Sequence, residues 1–221
     1  MNAEITKATT DDVSYKALQI PAKVISIIFH PLFIPTFIFF WLLYRMPFEF
    51  AGITPQALFA RKINVFWMTA FFPAFSVFLL WRLRFIQSIQ LRTQKERIAP
   101  YMITMIFYWW MWYLSRSFTD QPAALKFFYF GIFLCSIAGL IANIFFKISM
   151  HAMAVGGAFA SMVLCCFFYH NWYGADIGIA AIITGLVCTS RLILKDHGNT
   201  EIYGGLTAGI LCQLIAYKIM M

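Results

Sequence analysis

Residues 127–146 read FFYFGIFLCSIAGLIANIFF, twenty consecutive positions without a Lys, Arg, Asp or Glu. A helix of that length rises through ~30 Å, the thickness of a bilayer's hydrocarbon layer. Working outward, residues 24–44, 63–81, 98–115 and 148–175 are equally free of these four residue types, and each is long enough to cross. Residues 177–194 cross if Arg191 sits at their end, and 202–217 form a short last candidate flanked by Lys218. The pattern predicts an all-α fold, a polytopic transmembrane bundle of six to seven helices. It forms a single integral membrane domain over residues 1–221 with a polar tail over 1–21.

Composition agrees. The chain is 62% hydrophobic and 12% charged, with a mean hydropathy of +0.75. Soluble domains carry about 25% charged residues, so a soluble globule, a disordered chain and a nucleic-acid arm are excluded. The net charge of +8 says little about partners, because Lys and Arg gather at helix ends for topological reasons. Cys135, Cys165, Cys166, Cys188 and Cys212 lie in apolar stretches without metal-ligand spacing, as small buried hydrophobes do. Glu4, Asp11 and Asp12 interrupt Lys7 and Lys16 near the N-terminus, which is unlike the basic start and short apolar core of a cleaved signal peptide.

Local signals refine the helices. Pro31 and Pro35 remove backbone donors inside 24–44 and predict a bent or partly interfacial segment. Ala152, Gly156, Gly157 and Ala160 supply small residues for close helix packing, and Trp109, Trp110, Trp112 and Tyr113 bunch as an aromatic belt does. If each candidate crosses once, segments 82–97, 146–151 and 191–201 emerge on one face. Their ionisable residues then converge, and such a cluster at membrane depth marks a functional site.

The densest of these segments is Ser190-Arg191-Leu-Ile-Leu-Lys-Asp-His197-Gly-Asn-Thr-Glu201. His197 and Glu201 stand four apart, so on a starting helix the carboxylate holds one ring nitrogen as N–H and leaves the other to attack. Arg191 adds a planar fork of donors suited to phosphate oxygens, and Ser190 a hydroxyl. A nucleophile, its orienting group and an oxyanion clamp are all present.

In these residues the chain resembles the type 2 phosphatidic acid phosphatase family, relatives of the vanadium haloperoxidases. That family carries Lys-x6-Arg-Pro, Pro-Ser-Gly-His and Ser-Arg-x5-His-x3-Asp. Ser190, Arg191 and His197 match the third motif in spacing, with Glu201 at the aspartate position. Ile148-Ser149-Met150-His151 is similar to the second. Arg92-Thr-Gln-Lys95-Glu-Arg97-Ile-Ala-Pro100 stands where the first would be, with Arg92 at the lysine position and Arg97 and Lys95 as the nearest cations to Pro100. The resemblance spans residues 82–210.

It implies a lipid phosphate or diphosphate phosphatase working through a phosphohistidine, without metal or cofactor. His197 is then the nucleophile, Glu201 its orienting group and His151 the acid and later the base. Arg191, Ser149, Ser190, Arg92, Lys95 and Arg97 hold phosphate. The implied partners are a lipid phosphate or isoprenoid diphosphate substrate and membrane lipids, with no nucleic acid. The implied setting is a bacterial inner (cell) membrane. The alternative reading is a transporter or lipid-binding protein using the same cluster as an anion or proton site. His30 and His170 are read as interfacial, and Lys147 as a lysine snorkelling from a helix end.

Overall fold

Within a bilayer, charge-free sequence satisfies its backbone by forming helices, and all regular structure among the described residues is helical. The structure, a computed structural model, describes residues 17–89, 91 and 93–221. Among these residues there are eight helices. They are α1 (Ala17–Ile28), α2 (Ile34–Arg45), α3 (Pro55–Arg82), α4 (Gln94–Ser117), α5 (Ala123–Phe145), α6 (Met150–Tyr169), α7 (Gly174–Ile193) and α8 (Asn199–Met220). Helices α3, α5, α6, α7 and α8 are long and apolar enough to cross a membrane, and the chain is a multi-pass membrane protein. Helix α4 is as long, at 24 residues, but its tryptophans and tyrosines lower its hydropathy below theirs.

The expected first span, 24–44, is two helices. Pro31 has no N–H to give, and the chain turns through Phe29–Phe33 before α2 starts with Pro35 in its first turn. The fifth candidate, 148–175, stops at Tyr169. His170 adopts a left-handed conformation (φ 50°), and its N–H and that of Asn171 take up the last carbonyls of α6. Of the expected polar tail, 1–21, residues 17–21 are helical and belong to α1; residues 1–16 lie outside the described residues.

Helices α6 and α8 form the closest seam in the bundle. A Cβ on Gly205 would sit 2.6 Å from the Ser149 carbonyl oxygen, and one on Gly209 would overlap the Met153 carbonyl. Glycine is required at both positions because backbone meets backbone there. Helix α5 packs against both α8 and α6, α4 packs against α5, and α7 lies against α6.

The two ends of the bundle differ. At one end Arg45 and the Trp41 indole N–H donate to Asp176 at 2.5 and 2.8 Å, and Arg61 pairs with Asp120 at 2.6 Å. These contacts tie α2 to α7, and α3 to the α4–α5 loop. Four of the five cysteines are buried, Cys188 on α7 is half-buried, and all five are free thiols.

Candidate active site

At the other end, the α3–α4, α5–α6 and α7–α8 junctions meet, as the parity of the spans predicts. Backbone and side-chain bonds hold them together. The Ser149 N–H donates to the Glu201 carbonyl at 3.1 Å, and Arg97 Nη1 to the Ile148 carbonyl at 3.1 Å. Lys147 Nζ donates to the Asp196 carbonyl at 3.1 Å, and Asn143 Nδ2 to the Gln94 carbonyl at 2.9 Å. The N-termini of α4, α6 and α8 therefore lie together, and their unpaired N–H groups add positive potential to that of the cations.

Each junction is set by local sequence. Thr93 and Glu96 form a reciprocal capping box that starts α4 and places Arg97 one turn in. Ser149 caps α6, its Oγ accepting from the Ala152 N–H at 3.4 Å. Gly198 precedes α8, and its N–H donates to Glu201 Oε2 at 3.4 Å.

The same Glu201 oxygen lies 2.7 Å from His197 Nδ1. An ionised carboxylate only accepts, so Nδ1 carries the proton and Nε2 keeps its lone pair. His197 is buried. Burial pushes its pKa down most strongly and the Glu201 bond opposes it, while Arg97, Arg191 and Lys147 add to the downward push. The net direction is down. At neutral pH the ring is uncharged and its Nε2 is available for attack.

Arg191, in the last turn of α7, pairs through Nη2 with Asp196 Oδ2 at 2.7 Å, while its buried Nε has no hydrogen-bond partner. That Nε is a buried donor whose hydrogen bond is not met within the chain. Arg97 is buried and gives its Nε to the Leu91 carbonyl at 2.9 Å, so it braces the junction while contributing charge. Burial is the main cause that pushes the Lys147 pKa down, with Arg97 and Arg191 adding to it; this lysine belongs to the cluster and is not a free snorkelling end.

Not every expected phosphate ligand is turned to the site. The Ser190 hydroxyl donates to the Leu186 carbonyl at 2.7 Å, within its own helix, because a helical serine finds its nearest acceptor one turn back. Lys95 is exposed on the first turn of α4, and Arg92 lies outside the described residues.

His151 sits in the first turn of α6, within electrostatic reach of Arg191 and His197. Its Nε2 lies 3.2 Å from the Ser26 carbonyl, and its ring centroid is 5.2 Å from that of His30. His30 is thus not simply interfacial: the α1–α2 turn tucks it against His151. Burial, with the Arg191 charge second, pushes its pKa down to about 4. His170 stays at the far end as the cap of α6. Beside His30 and His151 lies an apolar cavity of about 140 Å³ that reaches between α4, α5, α6 and α8 to Tyr108, Ile132 and Gln213.

Compared with protein-family models, curated proteins and solved structures, the chain matches none.

Chemically, the site offers a neutral imidazole backed by a carboxylate, a second imidazole, and three cations facing two carboxylates. An anion with its charge spread over several oxygens is the ligand such a setting stabilises.

Proposed function

We propose that the chain is a membrane phosphatase that hydrolyses a phosphomonoester or diphosphate on a lipid, with the resemblance in residues 82–210 as a guide. The single observation that carries this reading is the His197–Glu201 pair. Its free Nε2 sits amid Arg191, Lys147 and Arg97 where three helix N-termini meet.

His197 Nε2 attacks phosphorus, and the bond from phosphorus to the lipid oxygen breaks as His151 gives that oxygen a proton. The phosphohistidine ring is cationic, and Glu201 stabilises it through Nδ1–H. Water then attacks phosphorus, His151 takes its proton, and phosphate leaves with His197 restored. Arg191 and the N-termini of α6 and α8 hold the equatorial oxygens, where charge spreads in the transition state. The apolar part of the substrate stays on the side of the cavity beside His151. A bacterial inner membrane is the setting that the resemblance implies.

The test is phosphate release by the purified chain from phosphatidic acid, phosphatidylglycerol phosphate, an isoprenoid diphosphate and a lipid A phosphate. We expect release from at least one, surviving EDTA and abolished in His197→Ala with insertion intact. Full activity in that variant refutes the phosphohistidine. No hydrolysis, together with anion or proton flux in vesicles that depends on Arg191 and Glu201, assigns the cluster to transport.

A further inference from the structure

In an unbroken helix the Ser26 carbonyl would accept the N–H of residue 30. Here the turn at Pro31 sends the His30 N–H to Ile27 instead, at 3.3 Å, and the Ser26 carbonyl is left without its helical donor. Ser26 is buried, and His151 Nε2 stands at its carbonyl, at 3.2 Å. A carbonyl has no proton to give. The proton of this bond therefore sits on His151 Nε2, and Nδ1 is the nitrogen left open.

His30 completes the arrangement. Its Nδ1 accepts from the Leu32 N–H at 3.4 Å, which places its own proton on Nε2. Its ring stands edge-on to His151, with an interplanar angle of 84° and the centroids 5.2 Å apart. Both rings line the apolar cavity, so a His151 side chain without this neighbour has room to swing away from Ser26. The groups that fix His151 come from the last turn of α1 and from the α1–α2 turn, both outside the region carrying the family resemblance.

We infer that the α1–α2 break is a fourth wall of the active site, beside the three junctions, in which the Ser26 carbonyl and His30 position His151 so that Nδ1 is the atom that exchanges the proton. The kinetic part of this inference rests on the phosphatase reading; the tautomer does not. In the first step Nδ1 takes up a solvent proton as the phosphate anion binds beside it, and the cationic ring keeps Nε2–H on Ser26 and passes the Nδ1 proton to the lipid oxygen as the bond to phosphorus breaks. In the second step Nδ1 takes a proton from water as the bond to His197 is hydrolysed.

A leaving-group comparison separates positioning from mere packing. A lipid phosphate expels a poor alkoxide and needs the acid, whereas p-nitrophenyl phosphate does not. His30→Ala should lower kcat/KM for the lipid phosphate by roughly 10–100-fold, part of the ~10²–10⁴-fold that general acid catalysis supplies, and leave kcat/KM for p-nitrophenyl phosphate within about twofold, because kcat/KM ends at release of the leaving group and leaves out the shared second step. His30→Phe keeps the ring's bulk and should recover most of the loss. Adding His30→Ala to His151→Ala should cost nothing more. Equal losses on both substrates, or losses that multiply in the double variant, overturn the positioning role.

The second measurement is ¹⁵N NMR of the histidine-labelled full chain in micelles. The expected spectrum has His151 as the Nε2–H tautomer in the wild type and averaged between tautomers in His30→Ala. A wild-type Nδ1–H tautomer overturns the inference whether or not the protein hydrolyses anything. If neither substrate is hydrolysed, the phosphatase reading fails while the spectrum still decides the tautomer.

Discussion

His197 and Glu201 show how far single residues can be read in advance. Their spacing of four places the carboxylate beside the ring on any starting helix, and the 2.7 Å bond follows once Gly198 lets α8 begin. Because the His197 pKa is held below its ordinary value of about 6.5, the ring stays neutral into mildly acidic solution. On the proposed mechanism, as pH falls through that lowered pKa His197 gains a proton and activity should be lost. The acid limb of kcat/KM should therefore lie below pH ~6.5, and a limb at or above that value would mean another group controls the rate. Other residues were illegible for a definite reason. Ser190 fits a motif, yet its hydroxyl has an acceptor one turn back at 2.7 Å. His30 reads as a loop histidine until the turn folds back on His151, a contact between positions 121 apart in the chain that no local pattern encodes.

Among the elements, apolar, charge-free runs located the spans well, because length and the absence of charge decide crossing. They did less well where proline or a left-handed residue interrupts a run without changing its hydropathy, as at Pro31 and His170. The small residues of α6 were visible, but their counterparts on α8, Gly205 and Gly209, pass for a weak final helix when read alone. Their role depends on the α6 backbone lying against them. Gly209→Ala should lower stability by about 1–3 kcal/mol, measured as thermal unfolding in detergent, since the added methyl overlaps the Met153 carbonyl. It should also weaken activity by straining the Ser149–Glu201 bond along the same seam. Gly178→Ala, on α7 with nothing within 4 Å of the new methyl, should change neither; equal effects from the two substitutions would refute this account of the seam.

For the whole molecule, alternating spans bring the starts of α4, α6 and α8 to one end, so topology alone gives that end its positive potential. What it does not decide is which aqueous compartment the site faces, since Lys and Arg occur at both ends. The state of the cysteines makes that question answerable. With four thiols buried and Cys188 half-buried on a membrane-spanning helix, the unaltered chain should stay unlabelled by a membrane-impermeant maleimide, which serves as the control for single-cysteine variants. A cysteine at exposed Arg82, at the site end, or at exposed Thr119, at the other, becomes the one reporter in its variant. In sealed vesicles of known orientation each should label from one side only, and from opposite sides. Labelling of both from the same side would contradict the alternating topology, and the side that labels Arg82→Cys is the compartment that the candidate site faces.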